Sequence, residues 1–234
     1  LAAHFKNPNT GVVTGKDVIL NIDEEVGKSE NLYQKIYNFL RRSETSMDST
    51  IYVKGEATAV RKDLVEDLDM CSETFDTAVG LHARQKGYRT VYDPNVKFYE
   101  YAPSTHFERV SQKTTRAANL VKILWRFKHM MFKRKYGKYG LVILPMNFGM
   151  LVIAPVSILF GFIFLIALTF LDFGFSAVVW AIIGFIFLSL LVISRHFMLT
   201  LLEFEYSLLK ALYQIACTKK VHDKIDKVAS TRRS

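Results

Sequence analysis

Residues Ser72–Gly87, SETFDTAVGLHARQKG, carry the reading around which the rest of the chain is arranged. Their periodicity predicts a helix with Phe75, Val79 and Leu81 on an apolar side and His82, Arg84, Gln85 and Lys86 on a polar one. Gly87 suits the position just past a helix end, and Tyr88–Tyr92 follows as a strand. Asp76 falls in the first turn, where a carboxylate gains about 0.3–1 kcal/mol from the free N–H groups of the helix end. Taken alone, Asp76 is accounted for as a helix-terminal charge.

Upstream, Leu1–Phe5 reads as the end of a helix closed by Asn7, Pro8 and Asn9. Gly11–Ile22 predicts one strand or two short ones, with a kink or bulge at Gly15. Between Glu24 and Glu44 the residues Leu32, Ile36, Phe39 and Leu40, with Tyr33 and Tyr37, recur at helical spacing and predict an amphipathic helix. A polar loop, SETSMDST, leads to a short strand at Ile51–Val53 that ends at Gly55. Arg61–Leu68 reads as a further short helix, with Asp67 and Asp69 as solvated charges. Strands separated by helices indicate an α/β layered domain of about a hundred residues.

Composition divides the 234 residues into two halves. The first 140 are charged and mixed, whereas Leu141–Ser194 contains Asp172 as its sole acid and neither Lys nor Arg. The net charge of +9 is concentrated: Arg109–Lys138 holds ten Lys and Arg and no Asp or Glu. A basic run abutting an apolar span fits anionic headgroups, at about 1 kcal/mol per residue near the surface. Its position beside the apolar span argues against nucleic acid, the competing partner for such a run. Cys71 and Cys217 fit no zinc or redox spacing and read as free thiols of a reducing compartment; the six histidines form no metal-ligand pattern.

After Pro103 helical periodicity returns through Phe107, Val110, Leu120, Val121, Leu124, Phe127 and Met131, with Lys and Arg between. Residues 105–140 thus form a basic amphipathic helix, lying either in the membrane interface or as a cover on the preceding domain. Leu141–Leu171 is longer than a bilayer core of about 30 Å requires. With Pro145, Gly149 and Pro155 in its first half, it predicts an oblique entry and a span over about 149–171. A second span is predicted over 175–194. The turn between them lacks Lys and Arg while both flanks are basic, which puts the turn outside and the flanks in the cytoplasm. Residues 197–217 contain Glu203, Glu205 and Lys210; an interfacial or hairpin helix suits them better than a third span, which would place carboxylates in hydrocarbon. Residues 218–234 form a basic cytoplasmic tail.

Asp76, Gly87-Tyr88-Arg89, Tyr92-Asp93-Pro94, Glu100 and Pro103 stand in an order that resembles the C-terminal half of family-2 glycosyltransferase domains of the GT-A type. Gly11–Gly15, Gly55 with Arg61, and Gln112 extend the resemblance, as does the hydrophobic C-terminal half. It implies a partial GT-A-like α/β domain over 1–104, followed by the basic interfacial helix (105–140) and α-helical transmembrane segments in a membrane region (141–217). It also implies a membrane-anchored enzyme that transfers a sugar from a nucleotide-sugar donor to a lipid-phosphate or glycan acceptor at the cytoplasmic face, in polysaccharide or glycolipid biosynthesis. Asp76 takes the place of the catalytic base, Gly55 that of the backbone passing close to the acceptor. Gln112, Lys113 and Arg116 match the diphosphate and acceptor vicinity, where the membrane-bound branch carries Gln-x-x-Arg-Trp; here the arginine falls one place late and Ala117 follows it. A solvated or headgroup-binding face is the competing reading of these three residues. Phe75 stands where the family has Glu, and Glu73 is no substitute by position. The Mg2+ or Mn2+ implied for the full-length enzyme has no ligands here, because no Asp-x-Asp precedes Gly11; Asp67-Leu-Asp69 follows the Gly55 motif, the wrong order. The chain, which begins with Leu, is therefore expected to lack the nucleotide-binding half and to be inactive by itself. The alternative class is a non-enzymatic membrane-anchored module that binds partners or acidic lipids.

Overall fold

The computed structural model describes residues 1–65, 75–171, 173–193 and 195–231. Asp67, Asp69, Cys71, Asp172 and the first residues of the helix expected from Ser72 lie outside them.

β1 (Thr10–Ile19) is central in a sheet ordered β2-β1-β3, pairing antiparallel with β2 (Thr58–Val60) and parallel with β3 (Arg89–Glu100). Its β-branched residues Val12 and Val13 are fully buried. The register against β3 shifts between Thr14 and Lys16, so the irregularity expected at Gly15 is present. A Cβ there would lie 2.6 Å from the Val96 carbonyl oxygen, which leaves room only for glycine.

Ile51–Val53 is not a strand, contrary to the expectation from its β-branched and aromatic residues. Its backbone is satisfied by side chains instead: Ile51 N–H donates to Glu44 Oε2 at 3.1 Å and Tyr52 N–H to Thr50 Oγ1 at 3.3 Å. Lys54 N–H donates to Thr14 Oγ1 at 3.0 Å. With the N–H groups of Ile51 and Tyr52 met by side chains, the segment is buried without joining the sheet.

α1 (Glu25–Met47) forms as predicted and runs slightly further, but it presents a different face. Ile36 and Phe39 are exposed, whereas Glu30, Gln34, Tyr37, Arg41 and Glu44 are buried. The apolar stripe points outward because the inward face meets charged partners from β1 and from a later helix. α2 (Lys62–Val65) is a single turn. α3 (Phe75–Gln85) lies between two apolar clusters, Val79 and Ala83 packing with Val12, Val53 and Leu64, and Ala78 and Leu81 with Ile51 and Leu124. It ends at Gly87, whose φ of 94° is the left-handed backbone that favours glycine.

α4 (His106–Arg126) is capped by Thr105, whose Oγ1 accepts from Glu108 N–H at 3.2 Å. Val121, Ile123 and Leu124 enter the core, and the basic residues Arg109 and Lys113 also turn inward. α5 (Tyr139–Leu171) is 33 residues long, with wider turns at Tyr139–Ile143 and Gly149–Ile153. Among the described residues it is the one helix long and apolar enough to cross a membrane; α6 (Phe173–Ile193) contains the shorter apolar helix Ala177–Ile186. Trp180 Nε1 of α6 donates to Thr169 Oγ1 of α5 at 3.0 Å.

α7 (Arg195–Thr231) includes the 197–217 segment and packs back onto α1 and α4. Its Glu203 lies 2.5 Å from His106 Nδ1 and pairs with Arg109 Nη1. Arg109, 1% exposed, also holds Glu30 Oε2 at 2.8 Å through Nε, and Lys113 Nζ reaches the same oxygen at 3.0 Å. One guanidinium thereby joins α1, α4 and α7. Arg109→Ala leaves the buried Glu30 and the half-buried Glu203 short of their cation and should cost about 3–5 kcal/mol in denaturant or thermal unfolding. Arg195, exposed and 3.8 Å from Glu25, is the contrasting case: Arg195→Ala should change stability by less than about 0.5 kcal/mol.

Candidate active site

The Ile51–Gly55 segment and the start of α3 meet at Asp76. Gly55 N–H donates to the Asp76 carboxylate, and a Cβ on Gly55 would lie 2.7 Å from both carboxylate oxygens. The approach therefore depends on glycine. The segment is held from behind by Glu44, whose Oε2 accepts from Thr50 Oγ1 at 2.8 Å and from Ile51 N–H at 3.1 Å. Asn147 of α5 donates to Oε1 of the same carboxylate at 2.6 Å.

Asp76 opens into a cavity of about 370 Å³. One wall is aromatic: the Tyr33 and Tyr37 rings lie 4.4 Å apart and the Tyr37 and Tyr52 rings 4.8 Å, with Phe75 and Phe204 beside them. Lys113 and Arg116 of α4 form a cationic wall, and Arg41 and Lys54 contribute as well. Arg41 and Lys54 are each 2.9 Å from Asp17, whereas Arg116 is exposed and makes no ion pair with a described residue. Lys113 Nζ lies 3.0 Å from the Tyr33 ring centroid, a cation–π contact. Gln34 Oε1, Arg41 Nε and Ser207 Oγ on the lining residues are buried without a protein partner.

Burial pushes Asp76 above its ordinary value of 3.8 and the nearby Glu56 adds to this, while the Gly55 N–H and Lys54 pull the other way. Burial lowers Lys113 to about 7 against the opposing pull of Glu30, with Arg109 and Arg116 lowering it further. At Asp17 burial alone would raise the carboxyl, but Arg41 and Lys54 outweigh it and hold the group below the usual range. The cavity thus pairs a carboxylate whose charge is disfavoured with cations on the facing helix.

Of the residues singled out in the sequence, Asp76, Lys113 and Arg116 line this cavity, and Gly55 backs Asp76. Gln112 does not join them; it lies in an adjoining cleft of about 20 Å³ with Glu100, Tyr101 and Pro103, and Lys113 and Arg116 border both. The contribution of α1 was missed. Glu30, Tyr33, Gln34, Tyr37, Arg41 and Glu44 recur every three or four residues, so a polar helix face was present in the sequence; the apolar stripe on the other side drew the assignment. Among the described residues no three His, Cys, Asp or Glu side chains come together as a cation site, so the divalent ion implied by the resemblance finds no ligand set among them.

Residues 1–193 match the family described as glycosyl transferase family group 2. No curated protein matches the chain. Among solved structures, the mannosyltransferase PcManGT from Pyrobaculum calidifontis, in complex with GDP-Man and Mn2+, superposes with a TM-score of 0.67 at 18% identity. The superposition covers 89% of this chain and 54% of the mannosyltransferase, so the chain spans about half of that protein's length.

The sign of the Asp76 shift separates a helix-terminal charge from a strained one. A carboxyl whose folded pKa is raised contributes stability that is fully present below its ordinary value of about 3.8 and is lost as pH rises through the raised pKa. Asn at this position does not titrate. The free energy of unfolding of the parent relative to Asp76→Asn, read from melting curves, should therefore fall as pH rises from below 3.8 towards neutrality, by less than about 1 kcal/mol because the group is largely open to solvent. A helix-terminal charge would give the opposite slope.

Proposed function

The chain belongs to glycosyl transferase family group 2, and on that premise we propose that it forms the acceptor side of a membrane-anchored transferase using a nucleotide-sugar donor. The observation that carries the reading is the convergence of Asp76, its Gly55 N–H, and the cations Lys113 and Arg116 on one cavity. An acceptor hydroxyl lying against the ionised Asp76 carboxylate gives up its proton as its oxygen attacks the anomeric carbon of the donor sugar. The sugar–phosphate bond breaks with the electron pair leaving on the nucleoside diphosphate. Lys113 and Arg116 offer positive charge to that leaving group, and a raised carboxyl pKa makes Asp76 a better proton acceptor than an ordinary aspartate.

Of the two acceptor classes, a glycan is favoured over a lipid phosphate. The buried Gln34 Oε1, Arg41 Nε and Ser207 Oγ lack partners, and a ring bearing several hydroxyls offers both donors and acceptors to such atoms. The aromatic wall of Tyr33, Tyr37 and Tyr52 supplies flat apolar faces for the C–H side of a sugar. For the membrane part, α5 and α6 are taken as the two spans with their connecting turn external and both flanks cytoplasmic, following the distribution of Lys and Arg.

In the full-length enzyme, Asp76→Asn should lower turnover by at least about 10²-fold while leaving folding and nucleotide-sugar binding intact, the usual consequence of losing a general base. The assay is diphosphate release from a panel of nucleotide sugars with glycan acceptors; an unchanged rate overturns the assignment. The topology is tested on intact cells in a Cys71→Ser background with an impermeant maleimide. Gly174→Cys should label from outside and the native Cys217 only after permeabilisation. Labelling of both from the outside would mean a third span or that one of the two is not a span, and labelling of Cys217 alone from the outside would reverse the arrangement.

A further inference from the structure

Between α4 and α5 the chain makes a tight loop, Lys128–Lys138, whose Met130 and Tyr136 enter the core while Phe132–Lys135 stay exposed. Its backbone is held firmly. Phe132 N–H donates to the Gly140 carbonyl at 2.8 Å, and a Cβ on Gly140 would lie 2.7 Å from Met130 O and 2.9 Å from Lys133 O. Arg84 of α3 donates to Tyr136 O at 3.1 Å, and Met130 is fully buried beneath the loop.

The side chain displayed at the tip of this loop carries two costs at once. Phe132 is 72% exposed, and its φ of 58° is left-handed, a conformation that bulky residues rarely adopt. Gly or Asn would relieve the backbone, and a polar residue would relieve the exposure. A large aromatic here is explained by an apolar medium that receives it.

The surroundings identify that medium. Lys133, Arg134 and Lys138 are exposed and form no ion pair with a described residue; Lys135 is exposed beside Tyr136, and Lys128 sits 4.2 Å from the ring of the exposed Trp125. Trp125 in turn lies 5.8 Å from Phe148 of α5. The loop leads straight into the first turn of α5, whose Leu141, Val142 and Met146 are exposed. Unpaired cations, exposed aromatics and an exposed apolar helix thus follow one another at a single place. Of the basic residues of α4, Arg109 and Lys113 are turned into the protein, Arg116 lines the cavity, and Lys122 and Arg126 are exposed.

We infer that the Lys128–Lys138 loop is a membrane anchor for anionic phospholipid, with Phe132 entering the boundary of the acyl chains and Lys133, Arg134, Lys135 and Lys138 holding lipid phosphates. The inference rests on α5 and α6 being membrane spans. It shifts the interfacial element from the α4 face to the loop that follows it. Aromatic side chains sit favourably at that depth and Lys and Arg reach back to headgroups from it.

The test uses the whole chain reconstituted in phosphatidylcholine vesicles with and without phosphatidylglycerol. In a W125F/W180F background, F132W provides a single tryptophan at the tip; W125F alone keeps Trp180 as a reporter of the spans. Lipids brominated near the headgroup end of the acyl chain should quench the F132W emission at least about twofold more than lipids brominated at the deep end, as expected for shallow insertion. The quenching should weaken without phosphatidylglycerol or on adding K133E/R134E/K135E. Quenching of Trp180 with none of F132W overturns the anchor and leaves the spans standing; absence of both overturns the spans and the anchor with them. An environment-sensitive dye on K133C, in a C71S/C217S background, reads the same site with Phe132 in place. Its emission should shift to the blue on anionic vesicles, and an emission unchanged from the detergent-free aqueous value overturns the inference.

Discussion

The arrangement depends on where Arg109 puts its guanidinium. Almost fully buried, it is bonded to Glu30 of α1 and Glu203 of α7, while Lys113 one turn on shares Glu30. Glu30 is met by both cations and Glu203 by Arg109 and His106, so neither carboxylate is left without a partner. The same contacts set the spacing of three helices whose inner faces are polar. That spacing is the cavity: α1 and α4 form opposite walls and α7 closes one side.

A second chain of contacts reaches Asp76 from the opposite direction. Glu44 gathers donors from Thr50, Ile51 and Asn147, and so ties the segment leading to Gly55 to α1 and to the long apolar helix at once. Burial pushes the Glu44 carboxyl above its ordinary value, and its three donors offset part of that cost. Gly55 can then approach Asp76 closely enough for its N–H to reach the carboxylate. The environment of Asp76 disfavours its charge. That carboxyl lines the cavity whose lining also holds Lys113 and Arg116.

The basic run from Arg109 to Lys138 is one feature in the sequence and two in the structure. Its first part, on α4, serves the interior through Arg109 and Lys113, with Arg116 at the rim of the cavity. Its last part, around Phe132, points away from the protein beside the exposed start of α5. A helix turn of 3.6 residues divides the first group by face, while the reversal of the chain after Phe127 separates the second. The cations that pair with Glu30 and Glu203 therefore lie on α4, while Lys133, Arg134 and Lys138, without an ion pair among the described residues, lie in the loop that follows.

Local chemistry by itself determined much of the framework. β-Branched runs gave β1 and part of β3, Gly15 marked the irregularity in β1, Gly87 ended α3, and apolar length set α5 apart. Asp76, Gly55, Lys113 and Arg116 were legible as a group through the family motifs they resemble, and the fold brings them to one cavity or its backing. Other features had no local signature. Which face of α1 is buried was decided by partners distant in sequence, Asp17, Arg109 and Lys113, because a charged face is stable inside only when its counter-ions arrive from elsewhere. Ile51–Val53 has strand-like residues yet stays out of the sheet, because Glu44 and Thr50 satisfy its N–H groups and Thr14 that of Lys54 just beyond. Gln112 shares the small cleft with Lys113 and Arg116 but stops short of the larger cavity, because its neighbours there are Glu30 of α1 and Glu100–Pro103, which only the fold brings together. Periodicity establishes that a face exists; only the tertiary structure supplies the charges that determine which face turns inward.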